Sequence, residues 1–483
     1  MKIATLFLLL CLSFSHNDVQ AKDLLKACCD KQVPVDDDRY RAIIFHEKRN
    51  ELYHSSEPWQ QMTYDIAGTF WYNSKHFLKQ DTLRSGQRTL YSKTSLKGNE
   101  LLLMDYGSKA LTPVTPQLLT EQLLESARYT PALLLQYFRE HKVTATRRAD
   151  TKIYTYTTLI GDIRVTLYIN SLSERVDKIG ILANDELRGD VLTSISYLGY
   201  TTDGLFCYPG QIRIERVNGK LVDEVNLSNY TVVLHPPQLL DAPEDYAVAD
   251  KKDPVPEIKK ARYAGHIYLL NMPHTGVRSL VVEFDSFLLV AEAPLNTING
   301  ELIIREARKI APHKPIRYFT FGHHHPHYLG GLRAFVYAGA TILGTPDDET
   351  YVRYLATAQH SLSPDSLQRK PRPLQYEIVR DSLLISDGNM SMMIYHIGEQ
   401  SGHTRDYLVY YFPQEKMLYE GDLVWVRNNG PAVKAGPTQK GLYKAITALG
   451  IDVREVLQSW GTGFPDYKMD ISFEDLKQSV TAP

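Results

Sequence analysis

Beyond its N-terminal segment the chain has no run of about 20 apolar residues, so nothing there reads as a membrane-spanning helix. It also lacks any Lys/Arg-rich stretch. With 54 basic against 56 acidic residues the formal charge is −2, and electrostatics offers no case for nucleic acid. Cysteine is scarce at four. Cys11 lies in the N-terminal apolar run, which leaves Cys28, Cys29 and Cys207, an odd set without the regularity of a disulfide framework or the spacing of a metal site. A link from Cys28 or Cys29 to Cys207 stays open. No repeat of fixed period is present.

What is there fits a globular protein with real cores: 483 residues, 43% hydrophobic and 23% charged, enough for two domains of ordinary size. Residues 1–21 read as an export signal, with Lys2 as the positive end, Ala4 to Phe14 as the apolar core and Val19-Gln-Ala21 as the cleavage region. Cys11 follows Leu10 where a lipoprotein signal wants a small residue. The expectation is a soluble exported protein, periplasmic or secreted.

Residues 22–235 are rich in β-type runs such as Ile163–Ile169 and Gln211–Val217. Asn218-Gly219 gives a hairpin signal. One helical block, Gln117 to His141, interrupts the strands; Pro116 suits its first turn and Pro131 breaks or kinks it. The proline-spotted stretch 236–261 reads as a linker. From residue 262 to 483 strands and helices alternate. They include a hairpin Leu280–Ala291, a helix Glu301 to Ile310, a strand Ile316 to Phe321, a helix Leu329 to Ala338 closed by Gly339, and a hairpin Tyr407 to Glu420. That order predicts a mixed, layered α/β domain behind a β-rich N-terminal one.

The chemistry concentrates in the second half. His323-His-His-Pro-His327-Tyr-Leu-Gly-Gly331 puts four imidazoles in five positions after an apolar strand. Ser401-Gly-His403-Thr404 follows a second strand, and Leu418-Tyr-Glu-Gly-Asp422 ends a third. Imidazole is the commonest metal-binding side chain. At strand ends of a layered domain, such loops converge on one face.

In this order and spacing the three segments resemble the metallo-β-lactamase superfamily, over roughly residues 262 to 465. The Leu329-Gly-Gly331 end sets the register against the family's His-x-His-x-Asp-His motif. The resemblance implies an αββα sandwich in which His323, His325 and His403 hold one metal, and Asp422 is a further ligand. The implied cofactor is one zinc ion. The chain departs from the motif at three places: His327 stands where the family has Asp, Tyr328 where it has His, and Val456–Gly461 offers no final histidine. A second metal therefore keeps Asp422 alone.

Three neutral imidazoles and a water make an open tetrahedral zinc site, whose hydroxide attacks an ester, amide, lactone or phosphoester. His327 as a substitute ligand and Tyr328 as a donor to a developing oxyanion are the two candidate catalytic groups. His324 occupies the motif's variable position, with a supporting or exposed place. His274 reads as a surface-loop residue and His396 as structural. The N-terminal half loosely resembles periplasmic lipoprotein-carrier half-barrels, which bind apolar ligands. The sequence leaves two functions open: an exported metallo-hydrolase acting on a small molecule, or a non-catalytic member that captures a ligand in a decayed site.

Overall fold

A computed structural model describes residues 20–34, 39–52, 56–104, 110–147, 151–203, 206–234, 244–248, 255–388, 390–429, 433–461 and 464–482. Residues 1–19 of the expected export signal, and 236–243 and 249–254 of the expected linker, lie outside them. The chain forms two compact units: Met1–Glu51, Gln61–Ala183 and Val191–Lys252 make the first, and Leu52–Gln60, Asn184–Asp190 and Asp253–Pro483 the second. No described helix is long and apolar enough to cross a membrane.

In the first unit the described strands form one 14-stranded, mainly antiparallel sheet and a separate two-stranded hairpin, Thr201–Asp203 with Phe206–Tyr208. Alternation explains how the large sheet packs. Along Ile163–Asn170 the buried positions are Val165, Leu167 and Ile169, and along Gln211–Arg216 they are Ile212 and Ile214. That apolar face covers three helical segments, 20–32, Pro116–Glu125 and Ala132–Glu140, whose Leu24, Cys28, Leu134 and Phe138 share its core. Thr115 caps the second of these by accepting from Leu118 N, with Pro116 in the first turn. The expected single block is split by a 3-10 turn, Ser126–Arg128, and Pro131 stands just outside the next helix. Asn218 and Gly219 have φ of +55° and +86° in the turn between Gln211–Arg216 and Leu221–Val233. Cys28, Cys29 and Cys207 are free thiols. Buried Arg128 ion-pairs with both Glu47 and Asp223 beneath the sheet.

The second unit is built on a seven-stranded sheet, residues 259–378, and a six-stranded sheet, residues 382–472. Their central strands, Val277–Glu283 and Leu288–Ala291 in one and Leu408–Phe412 and Met417–Glu420 in the other, are buried on both faces, while edge strands such as Lys259–Ala264 are polar and exposed. Leu280, Val282 and Leu289 of one sheet meet Met392, Ile394, Tyr410 and Tyr419 of the other. On the far side of the first sheet, Val281 and Val290 pack on Ile303, Ala307, Phe335 and Val352 of three helices. On the far side of the second, Val409, Leu418 and Val456 pack on Leu442, Ile446 and Leu476. The layers are helix, sheet, sheet, helix, the expected αββα sandwich.

Two helix boundaries differ from expectation. The helix expected from Glu301 starts at Thr297, because the Asn296 side chain accepts from Asn299 N at 3.1 Å. The helix expected over Leu329 to Ala338 is two pieces, Pro326–Leu329 and Leu332–Ala338, the second ending at Gly339 with φ +84°.

Candidate metal centre

Strand Ile316–Thr320 delivers the histidine run. Gly322 N donates to both oxygens of Glu292, at 3.1 and 3.2 Å, so the residue that ends the neighbouring strand anchors the loop from below. His325 then stands at the N-cap of helix Pro326–Leu329. The Gly-Gly pair that comes next is a packing requirement. A Cβ on Gly330 would lie 2.3 Å from the Leu295 carbonyl carbon, and one on Gly331 would lie 2.8 Å from Gly300 Cα. Only glycine lets this loop seat against the helix Thr297–Ile310.

His403 comes from another sheet. A 3-10 turn, Gly398–Ser401, ends at Gly402 with φ +67°, where a Cβ would stand 3.0 Å from the Pro437 carbonyl oxygen. Ser401 Oγ accepts from His403 N at 3.0 Å and Thr404 N at 3.3 Å, which fixes the turn. Asp422 comes after the strand Met417–Glu420, and Tyr407 Oη donates to its Oδ1 at 3.2 Å.

These elements bring His323, His325 and His403 together, one ring nitrogen of each lying within 4.8 Å of the others. His323 Nε2 and His325 Nδ1 are 3.0 Å apart. Ligands on a tetrahedral zinc with Zn–N bonds of about 2.0–2.1 Å stand roughly 3.4 Å apart, so the spacing suits a shared ion. Burial, and then the neighbouring His325 and His403, hold His323 well below the usual imidazole range, and the neutral ring is the ligand form. Buried His403 Nε2 makes no well-formed hydrogen bond, its nearest charged neighbour being Asp422 Oδ2 at 3.5 Å. The donor set and this nitrogen fit a zinc ion.

Asp422 stands at the edge of the trio, its Oδ2 3.5 Å from His403 Nε2. Burial lowers the His403 pKa, but the Asp422 carboxylate more than offsets this and the net shift is upward. Tyr328 is buried at 1% exposure and its phenol faces Asp422; burial and then that carboxylate push its pKa well up. His327 is not among the residues whose ring nitrogens gather within 4.8 Å, although it stands near enough to act on His323. Its ring lies 5.4 Å from that of Trp460, a residue of the segment that stands in place of the family's final ligand. His324 is neither exposed nor on this centre: its Nδ1 is 3.0 Å from Asp406 Oδ2. His274 bonds Asn299 at 2.9 Å, and His396 contacts the Arg380 and Arg405 carbonyl oxygens.

Several residues around the centre do not stand out in the sequence. Glu292 and Glu420 are buried acids at strand ends, and burial raises both, Glu420 to about 8. Tyr407 bridges Glu420 and Asp422. Trp425, Trp460 and Phe464 form an edge-to-face cluster with ring separations of 5.6 to 5.8 Å. The only sequence signal for the acids is a charged residue directly after an apolar strand.

No protein-family model matches the chain, and no curated protein matches it. Solved structures do. DIM-1 metallo-β-lactamase aligns with a TM-score of 0.35 at 16% identity, covering 47% of this chain and 96% of that one. The mono-zinc form of FIM-1 from Pseudomonas aeruginosa gives 0.34 at 17%, with 47% and 95% covered. An enzyme from Pontibacter korlensis gives 0.34 at 14%, with 47% and 98%. All three are metallo-β-lactamases. The likeness is one of fold alone; the chemistry of the centre rests on this chain's own side chains.

Proposed function

We propose that this is an exported metal-dependent hydrolase in which His323, His325 and His403 hold one zinc ion. The observation that carries it is the convergence of three imidazoles from two different loops, with His323 held neutral by burial. Zinc in such a set supplies Lewis acidity and an activated water nucleophile. The chain's own part is to orient and to exclude water. Glu292 holds the ligand loop through Gly322, and Tyr407 fixes Asp422 beside His403, with the Tyr328 phenol facing it. The aromatic cluster of Trp425, Trp460 and Phe464 offers an apolar wall to a small substrate.

A second proposal is ligand capture without turnover. It rests on Tyr328 and Trp460, bulky side chains standing where further ligands would be needed for a second ion.

Metal analysis tests the first proposal. Full-length protein purified without chelator should carry zinc, and His325→Ala should lose about one ion per chain together with ester-hydrolysing activity. Zinc content unchanged in His325→Ala would overturn the three-histidine assignment. Metal present with no turnover on esters, lactones, amides or phosphoesters would favour capture.

A further inference from the structure

Next to this centre, and separate from it, His324, Asp348 and Asp406 meet in the interior. Each sits just beyond an apolar strand or just before one: His324 after Ile316–Thr320, Asp348 after Thr341–Gly344, and Asp406 ahead of Leu408–Phe412. The first two strands pair in parallel, so their ends lie side by side. One ligating atom from each residue lies within 4.8 Å of the others, and all three residues are buried, both aspartates at 0% exposure.

Their hydrogen bonds use only half of each carboxylate. Asp406 Oδ2 accepts from His324 N at 2.6 Å and faces His324 Nδ1 at 3.0 Å. Asp348 Oδ2 accepts from Thr345 N at 3.1 Å and Thr345 Oγ1 at 2.8 Å. The other oxygen of each, Asp348 Oδ1 and Asp406 Oδ1, is buried and accepts no well-formed hydrogen bond; the two carboxyls face each other, and the Thr404 hydroxyl faces Asp406. Two buried carboxyls facing each other is a costly arrangement, because like charges in a desolvated place repel unless a proton or a cation lies between them.

We propose that His324, Asp348 and Asp406 form a second, structural cation site that takes a first-row divalent transition metal such as manganese, iron(II) or zinc. One imidazole with two carboxylates is the donor set for such ions, while magnesium and calcium favour all-oxygen shells. A divalent ion cancels the two carboxylate charges and takes the facing Oδ1 atoms as ligands. Consistently, burial and then the facing Asp406 push the Asp348 carboxyl well above the usual range when no cation is present. The ion would tie the His323–His325 loop to the strands on either side, and since the site is closed to solvent it would enter during folding and resist chelators. This proposal does not depend on zinc at the three-histidine centre.

The test is metal counting on the full chain, expressed in medium supplemented with manganese and zinc and dialysed against EDTA. The double variant His325→Ala/His403→Ala should keep about one ion per chain, and Asp348→Asn should lose about one relative to wild type. A double-histidine variant that is folded and metal-free overturns the site. So does a folded Asp348→Asn chain with wild-type metal content and melting temperature, the result expected if the two Oδ1 atoms merely share a proton. If Asp348→Asn fails to fold, the double-histidine variant decides alone. An ion lost in Asp348→Asn but retained in the double-histidine variant supports this site even if the three-histidine centre proves empty.

Discussion

Tyr328 shows how one side chain sets the character of a centre. It is buried, and its phenol faces the Asp422 carboxylate at the edge of the three-histidine group. Tyr328→Phe keeps the ring and removes only the hydroxyl facing Asp422, so it should change stability by no more than about 1 kcal/mol and leave the metal content unchanged. Denaturant melts and metal analysis check both halves; loss of metal would make Tyr328 part of the ligand set. Glu47 gives the corresponding prediction for pH. Burial opposes its charge, but Arg128 and then Arg49 more than offset this and bring its pKa from 4.5 to about 2. Its pKa is depressed on folding, so its contribution is complete above the unfolded value near 4.5 and is lost as pH falls toward 2. The difference corresponds to about 3 kcal/mol. Urea denaturation of the full chain at pH 7, 4 and 3 should show that decline for the first unit's transition, and Glu47→Gln should flatten it.

At the scale of elements, the glycines decide where the histidines stand. A Cβ on Gly331 would meet the Ala293 methyl at 2.7 Å and the Gly300 backbone at 2.8 Å (Cα) and 3.0 Å (N), and neither is the far end of a flexible side chain that could swing away. Gly331→Ala should therefore cost about 2–3 kcal/mol and, by displacing the turn after His325, reduce the bound metal. Gly339→Ala is the control. Its φ of +84° makes alanine strained there, at about 1 kcal/mol, but it closes the far end of the next helix and should leave metal content intact. Thermal melts paired with metal analysis of the two variants separate a packing role from a general loss of stability. This is also where the sequence was most legible. His323, His325, His403 and the Leu-Gly-Gly end are local patterns on loops bounded by apolar strands, and such patterns survive without a structure. Glu292, Glu420, Asp348 and Asp406 are single acids beside apolar runs; only the stacking of strands from distant segments turns them into buried partners. His327 and Tyr328 could be named as candidates, but what each side chain faces was set by Trp460 and Asp422, far along the chain.

At the scale of the molecule, the second unit is not a continuous piece of chain. Residues 52–60 and 184–190 belong to it, although they lie in the part of the sequence that reads as β-rich. Trp59 of the first segment packs edge-on against Tyr351 and Tyr354, at 5.1 and 5.0 Å. Leu187 of the second is in the same core as Phe335 and Val352. Burial raises the Asp190 pKa, but the Ser361 hydroxyl at 2.5 Å, then Leu362 N at 3.1 Å and Ser361 N at 2.8 Å, donate to the carboxylate and hold it below the ordinary value. Short connections of this kind carry no periodicity, so nothing in the sequence marks them as part of a domain whose main body begins about 190 residues later in one case and about 60 in the other. A fragment spanning 253–483 would contain every residue of the three-histidine centre and still lack these supports. Losing one large aromatic and one leucine from the core, at about 1.5–3 kcal/mol each, should leave the fragment several kcal/mol less stable than the same unit in the whole chain. Restoring only the aromatic contact cannot be done by a linear truncation, so the comparison is best made with Trp59→Ala and Leu187→Ala in the full-length protein. Each should lower the melting temperature of the transition that releases metal and leave the first unit's transition in place. If the isolated fragment instead melts and holds metal like the full chain, the two segments are passengers on the second unit and not part of its core.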